Sequence, residues 1–317
     1  MKTKNIHSLV ALLITFGMLT FSSCRKKEEE KPDTTDTDTE QATANDNNLA
    51  EGIVHDIEAM GSDASENMAI SAFKSSGEAQ SQQLTVASCA TVTIANKIIT
   101  VDFGTSGCTG GDGRTRTGKL IYDYSTSSPA TAVYYRNPGF RMVVTSQNYV
   151  VDGNQVNITN KTIANTTPTN IPNSVNPGTN LNWSINANVT IIKANNSGTI
   201  TWTCNRTKEL MNTADTLCYR GQNKAINWQR AMVKLNGNAS GTNANNESYT
   251  SVATNLVRDF NCTPNPTLRP NRHPFVSGTI AYTPANRYTR LVNYGSGVCD
   301  NDATVTINGT TYNITLP

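Results

Sequence analysis

Apolar and polar residues alternate along most of the chain after about residue 85. Apolar side chains occupy every second position in runs that comprise Val92/Ile94, Ile99/Val101/Phe103, Leu120/Tyr122/Tyr124, Leu181/Trp183/Ile185, Val189/Ile191, Ile200/Trp202/Cys204, Val305/Ile307 and Tyr312/Ile314/Leu316. A period of two is typical of antiparallel strands that bury one face and expose the other. Threonine and asparagine fill many intervening positions and keep the outer face soluble with few charges. Residues 85–317 are therefore predicted to form an all-β domain, an antiparallel meander or sandwich.

Short turn signals separate several of these runs. They are Asn308-Gly309, Asp152-Gly153-Asn154 and Asn196-Ser197-Gly198. Asparagine, aspartate and glycine tolerate positive φ, which two-residue hairpin turns require. We predict hairpins at these places, within one large domain or two related β units.

A helical pattern precedes the body, within a segment predicted as helix and linker over 47–84. Asn48 and Glu51 have the spacing of a capping box, and Gly61 provides a stop signal. The apolar stripe between them consists of Leu49, Ile53, Ile57 and Met60. A short helix with one apolar face is expected to pack on the body.

The first 23 residues have the three zones of a signal peptide, with Lys2 and Lys4, an apolar run over 9–21, and small residues before Cys24. The apolar run is shorter than the ~20 residues that a spanning helix needs. Residues 21–24 resemble a bacterial lipobox, which implies cleavage before Cys24 and a lipid on its thiol. The alternative is an ordinary cleaved signal with a stray cysteine.

Residues 24–46 contain almost no apolar side chains and are predicted to be a disordered, lipidated tether. Its segment 25–30 is basic and then acidic, which resembles the signal that sends Bacteroidetes lipoproteins to the outer cell surface; a solvated charge run is the alternative. The expected location is the cell envelope, as an outer membrane lipoprotein anchored to the membrane through its lipid.

The cysteine count agrees with lipidation, because removing Cys24 from seven cysteines leaves six that can pair in an oxidising compartment. Six cysteines allow 15 connectivities. An internal echo favours one of them: Val101-Asp102-Phe103-Gly104 with Cys108 matches Val292-Asn293-Tyr294-Gly295 with Cys299. We predict Cys89–Cys108 and Cys262–Cys299, which leaves Cys204–Cys218. Zinc is the competing interpretation, although there is no Cys-x-x-Cys pair.

Charge is divided unevenly along the chain. Residues 25–84 hold five basic and fourteen acidic side chains, net −9, whereas residues 85–317 hold 19 basic and 10 acidic ones, net +9. In the basic body, Arg114, Arg116 and Lys119 are predicted to form a cationic row that binds an anionic ligand. Protection of an edge strand is the structural alternative. Export makes nucleic acid an unsuitable partner.

Catalytic residues are scarce. Only two histidines remain after the signal peptide, and no Gly-x-Ser-x-Gly motif occurs. A hydrolase would have to use carboxylates such as Asp112, Asp123, Asp300 or Asp302. Asp300, Asn301 and Asp302 are also weak Ca²⁺ candidates, with an Asx turn as the alternative, and no other cofactor is indicated.

Three segments carry a resemblance to an uncharacterised family of Bacteroidetes lipoproteins. They are 102–119, 237–243 and 277–309, the last with Tyr294-Gly295-Ser296-Gly297-Val298-Cys299-Asp300-Asn301 followed by Ala303-Thr304-Val305-Thr306-Ile307-Asn308-Gly309. The inserted segment 264–274 and the additional Cys204 and Cys218 depart from that pattern. The resemblance implies no activity.

The main hypothesis from the sequence is therefore a non-enzymatic binding or structural module of the envelope, with a glycan or a protein as its partner. The alternatives are a cell-surface hydrolase acting on glycans or peptides, and a subunit of an envelope assembly that pairs through a β edge.

Overall fold

The structure is a computed structural model that describes residues 42–67, 89–110, 112–168, 180–219, 225–263 and 275–315. The predicted signal peptide, Cys24 and the tether up to residue 41 lie outside the described residues, as does the predicted linker after residue 67. Residues 264–274, which contain the Pro-rich insertion, also lie outside them.

The body is one antiparallel sheet, as the alternating pattern predicts. Its strands are β1 (Thr91–Ala95), β2 (Ile98–Asp102), β3 (Cys108–Thr109), β4 (Thr115–Asp123), β5 (Arg141–Val151), β6 (Asn154–Asn165), β7 (Leu181–Ile192), β8 (Thr199–Leu210), β9 (Met232–Thr242), β10 (Ser248–Asp259), β11 (Phe275–Pro284), β12 (Arg290–Ser296), β13 (Asp302–Ile307) and β14 (Thr310–Thr315). Strand neighbours in the sheet follow chain order from β1 to β14, except that the short β3 pairs only with β4. The sheet is therefore a meander.

The predicted hairpin signals lie in turns between adjacent strands. Asp152 and Gly153 adopt positive φ values of 50° and 78° between β5 and β6, and Asn308 and Gly309 adopt 47° and 81° between β13 and β14. Two successive residues with positive φ are typical of a type I′ hairpin turn. The turn chemistry thus sets the register of these strand pairs.

Helix α1 (Ala42–Asn67) is longer than the sequence predicts, since it begins before Asn48 and continues past Gly61. The stop assigned to Gly61 is wrong. A Cβ atom on this glycine would lie only 2.3 Å from the ring of Tyr122. Gly61 therefore allows close contact between helix and sheet instead of ending the helix.

The sheet curls around α1. Tyr122 on β4 donates a hydrogen bond of 2.8 Å to the carbonyl of Ile57, and Tyr282 on β11 donates one of 2.8 Å to Asn48. Seven strand spacings separate β4 from β11, which is roughly 34 Å in a flat sheet. A helix is only about 10–12 Å across, so the sheet must bend to bring both tyrosines to it. The inward face of the sheet and the helix together form the main core, and Val257, Cys262 and Val276 form a second, small cluster.

Two of the three predicted disulfides are present, Cys89–Cys108 and Cys262–Cys299. The third prediction is wrong, because Cys204 and Cys218 are free and buried. Cys204 lies in the middle of β8, and the six residues from it to Leu210 extend about 20 Å at the rise of a strand. Cys218 follows the end of that strand, where its Sγ contacts Asn212 Oδ1 at 3.5 Å. The pair is too far apart for a bond that needs Cα atoms about 4.4–6.8 Å apart.

The two segments of the internal echo adopt the same local structure. Asp102 accepts a hydrogen bond of 2.9 Å from the N–H of Gly104, and Asn293 accepts one of 2.9 Å from the N–H of Gly295. Both glycines have positive φ. The echoed turns lie towards opposite ends of the same sheet, each close to a disulfide.

Candidate functional site

The predicted cationic row does not form one exposed surface. Arg116 is fully buried and makes a bidentate ion pair with Asp112, at 2.9 and 2.6 Å. Arg114 pairs with Asp56 on α1, and Lys119 pairs with Asp102 at 2.8 Å. Successive side chains of a strand point to opposite faces, so Arg116 faces inward and Lys119 faces outward. The prediction of a common anion-binding row is therefore wrong.

Several other basic side chains instead bind the acidic side chains of α1. Glu51 pairs with Arg206, and both side chains are about 95% buried, with 6% and 5% exposed. Arg206 also donates a hydrogen bond of 2.6 Å to the carbonyl of Gly237. Asp46, near the start of the helix, pairs with Lys193 at 2.6 Å. These contacts attach the helix to the β7–β8 region of the sheet.

Glu58 is the most enclosed acidic group of the helix. Its carboxylate accepts hydrogen bonds from Lys208 at 3.0 Å, Lys161 at 3.3 Å and the Tyr135 hydroxyl at 3.1 Å. Burial alone would raise the pKa of Glu58, but the two lysines outweigh that effect and hold its pKa well below the ordinary value. The group therefore stays ionised.

Three aromatic rings enclose Lys208. Its Nζ lies 4.9 Å from the ring centre of Trp228, 5.2 Å from that of Tyr135 and 5.6 Å from that of Trp183. The ring faces stabilise a cation that burial removes from water. Burial still lowers the pKa of Lys208, and Glu58 opposes that shift. The cluster is filled with its own partners, so we assign it a structural role.

His55 lies beside this cluster, with its ring 6.3 Å from that of Phe275. Burial, and then the positive charge of Arg258, hold the pKa of His55 well below 6.5. The ring is therefore neutral at pH 7. It packs against an aromatic side chain in the folded protein.

The carboxylates considered for hydrolysis serve local turns. Asp112, Asp123 and Asp300 each accept a hydrogen bond from the backbone N–H two residues later, at 3.1, 2.8 and 3.0 Å. Asp112 and Asp123 lie at opposite ends of β4, about 30 Å apart at the strand rise. That distance is far longer than the ~5–10 Å between glycosidase carboxylates. Asp302 begins β13 opposite Thr315.

The Ca²⁺ candidates form the alternative structure, an Asx turn, in which Asp300 caps the N–H of Asp302. Throughout the part of the chain that the structure describes, no three His, Cys, Asp or Glu side chains come together as metal ligands.

A groove on the outer face of the sheet, over β6 to β10, is the candidate binding site. Its volume is about 630 Å³. The outward side chains that line it are Asn160, Asn186, Asn188, Thr203, Asn205, Asn238, Ser240, Thr250 and Val252. We call this the amide groove. Its lining contains amides, hydroxyls and one valine, which is 49% exposed, and carries no charged side chain.

The registers of five strands assemble the amide groove. Asn186 on β7 lies opposite Asn205 on β8, which lies opposite Asn238 on β9. The neighbouring row pairs Asn188 with Thr203 in the same way. Cross-strand partners on one face lie within about 4.5–5.5 Å of each other, so each row is a continuous ladder of polar groups.

Small inward side chains explain why the outer surface dips here. The row that lies between the two polar ladders points into the core and consists of Ala187, Cys204, Ala239 and Ser251. Small side chains let the backbone approach α1 closely, because interiors are packed without gaps. Within the sheet, a Cβ atom on Gly241 would lie 1.8 Å from the carbonyl oxygen of Thr201, so β9 and β8 also approach each other closely at this point.

The amides of the groove are available to a ligand. Asn186, Asn188, Asn205 and Asn238 are exposed, and their side chains make no hydrogen bond to other described residues. Each amide offers two donors and an acceptor with two lone pairs. The alternating sequence predicts this polar outer face, and we interpreted it only as a source of solubility. The groove itself was not predicted, because it depends on which distant strands pair.

No helix among the described residues has the length and apolar character needed to cross a membrane. Comparison with known proteins gives no match to a protein-family model, to a curated protein or to a solved structure. The resemblance to the lipoprotein family therefore stays a prediction.

Proposed function

We propose that the chain is a lipid-anchored, non-enzymatic binding module of the cell envelope, and that its amide groove binds an uncharged, hydroxyl-rich glycan. The observation that carries the proposal is the lining of the groove, where five asparagines and three hydroxyl side chains occur with no charged residue. Sugar hydroxyls both donate and accept hydrogen bonds, and amides match both roles.

The chemistry of the groove favours neutral over anionic glycans. Lys161, Arg206 and Lys208, which point inward from the strands that carry the groove, are paired with carboxylates of α1, so they are not available to an external phosphate or carboxylate. Across five strands at about 4.8 Å spacing the groove extends ~19 Å, enough for several sugar units. Binding through neutral hydrogen bonds is expected to be weak, with Kd values of about 0.1–1 mM, and insensitive to salt.

The anchor supports this role by holding the domain at a surface. The signal peptide pattern and the lipobox-like residues before Cys24 motivate it. Residues 24–41 precede the described helix, and a segment of that length reaches at most ~60 Å. A Cys24→Ala substitution should abolish labelling by radioactive palmitate and release the protein from membranes.

Titration of neutral and anionic oligosaccharides into the chain starting at position 24, with Cys24→Ser to remove the lipid, tests the groove. We expect saturable binding of a neutral oligosaccharide that changes less than twofold between about 50 and 500 mM salt, because neutral contacts are not screened. Asn205→Ala with Asn238→Ala should weaken it roughly tenfold, at about 0.5–1.5 kcal/mol for each lost hydrogen bond.

Asn157→Ala provides a matched control, since Asn157 is an exposed outward asparagine of β6 that does not line the groove. It should leave the affinity unchanged. Binding restricted to anionic glycans, or equal losses in the control and the groove variant, would contradict the proposal.

A further inference from the structure

Strand β14 (Thr310–Thr315) ends the sheet with an exposed edge. It pairs with β13 on one side, and it is the last strand in the order of the sheet. Every residue of β14 except Ile314 is exposed, and Tyr312 is 41% exposed. The prediction of a half-buried strand over 312–316 is therefore wrong for Tyr312. The hydrophobic core therefore does not extend fully to this edge of the sheet.

Tyr312 nevertheless belongs to the inward face. It lies opposite Val305 on β13, which lies opposite the buried Val292 on β12. Ile314 lies opposite the buried Ala303 in the same way. The inward face of β14 is thus an apolar surface that nothing in the described chain covers fully.

The edge lacks the devices that prevent strand pairing. The six residues of β14 include no charged residue and no proline, and five of them are threonine, tyrosine or isoleucine. Such residues have high β-propensity. Natural edge strands are usually protected by lysine, proline or a bulge. The opposite edge, β1, is shorter, and Lys97 follows two residues after its end.

We propose that β14 of one copy pairs antiparallel with β14 of a second copy, about a two-fold axis that passes through Tyr312. Antiparallel partners directly opposite each other share a face, so the inward face of one copy must continue into that of the other. Tyr312 then lies opposite its own counterpart. Thr310 lies opposite Ile314, and Thr311 lies opposite Asn313.

This register is self-complementary. Aromatic pairs and pairs of β-branched residues are among the favourable cross-strand combinations, and no like charges meet. The tyrosine pair covers apolar surface that is exposed in the single chain. A two-fold interface is closed, so association stops at two copies. The pairing does not depend on the ligand of the amide groove.

Light scattering after size-exclusion chromatography of the chain starting at position 24 tests the pairing, with Cys24→Ser so that no lipid causes association. We expect a dimer whose fraction rises with protein concentration. Thr311→Lys with Asn313→Lys places lysines opposite lysines and should raise the dissociation constant about tenfold or more.

A matched control is Thr199→Lys with Thr207→Lys, two exposed threonines of β8 that receive the same added charge. Both variants should keep the circular dichroism spectrum of the parent, and the control should keep its dimer. A monomer at every concentration, species larger than a dimer, or equal effects of the two variants would overturn the proposal.

Cysteine cross-linking tests the register between the β14 strands of the two copies. Opposed Cα atoms in antiparallel strands are about 4.5–5.5 Å apart, which is within the range for a disulfide. Tyr312→Cys should therefore form an intermolecular disulfide under mild oxidation, whereas Thr311→Cys and Asn313→Cys should not. A cross-link at either neighbour instead of position 312 would refute the axis through Tyr312.

Discussion

Glu58→Gln is expected to destabilise the protein strongly, because it removes the counter-charge of two buried lysines. Lys161 is fully buried, and the Lys208 side chain is 8% exposed. Glutamine keeps the shape of the side chain and can still accept hydrogen bonds, so the change isolates the charge. Removing one partner of a buried ion pair costs about 3–5 kcal/mol. Since domains are typically stable by about 5–15 kcal/mol, this loss is a large share of the total.

The assay is urea unfolding at pH 7, followed by tryptophan fluorescence. All three tryptophans, Trp183, Trp202 and Trp228, are buried and will report loss of the core. Urea is uncharged and does not screen ion pairs. Glu209→Gln is the matched control, because Glu209 pairs with Lys234 where both side chains are about one-quarter exposed. Exposed pairs contribute about 0–1 kcal/mol, so the control should unfold near the parent.

A triple variant separates lost charge from lost packing. Glu58→Leu with Lys161→Met and Lys208→Met removes all three charges and keeps apolar volume against the aromatic rings. Replacing a whole buried ionic group by apolar residues is often neutral or stabilising, so most of the stability should return. If Glu58→Gln costs no more than the control, or if the triple variant is as unstable as the single one, our account of the helix–sheet interface is wrong.

Three further predictions concern packing, pH and thiols. Gly61→Ala should cost about 1–3 kcal/mol in urea unfolding, because the added methyl group meets the ring of Tyr122; a neutral result would contradict the close contact. The low pKa of His55 means that the unfolded chain gains a proton below pH 6.5 while the folded protein does not, so stability should fall with pH below that value by up to about 1.4 kcal/mol per unit. His55→Gln should flatten the curve between about pH 6.5 and 5, and an unchanged slope would refute the assignment. Burial raises the pKa of Cys204 and Cys218 to about 11, so a thiol reagent should label neither in the folded protein and both in urea. Rapid labelling of the folded protein would contradict their burial.

The strands that sequence alone predicts are those whose inward positions are consistently apolar. β8 is an example, since Ile200 and Trp202 alternate with threonines. The pattern fails on β10, where the inward Ser251 is polar, and on β9, where Gly237 interrupts the alternation beside a register shift. Those strands are specified by their neighbours in the sheet, which local sequence does not reveal.

The ion pairs between helix and sheet could have been predicted from the alternation of inward and outward positions along β8. Arg206 and Lys208 fall at the same alternate positions as Trp202, so a strict period of two places them on the inward face. A buried cation requires a partner of opposite charge. The predicted helix within 47–84 holds acidic side chains that can supply this partner. An external anion was instead predicted, and for a different set of basic residues, Arg114, Arg116 and Lys119.

The amide groove could not have been predicted in the same way. Alternating asparagines on β7 and β8 indicate an outer face. A depression in that face requires small inward side chains in the same cross-strand row on four neighbouring strands. That row depends on register, and register is set by hairpins far apart in sequence.

The unequal charge of the two parts of the chain has a consequence for ligand choice. An acidic segment next to a basic body predicts a positively charged surface that attracts anions. In the structure, the acidic side chains of α1 instead neutralise inward cations such as Arg206 and Lys208. Part of the body's positive charge is thus used to hold its own helix. What remains in the amide groove is hydrogen-bonding capacity without charge, so selectivity must come from the geometry of its amides and hydroxyls. Salt dependence is therefore the measurement that most directly separates neutral from anionic ligands.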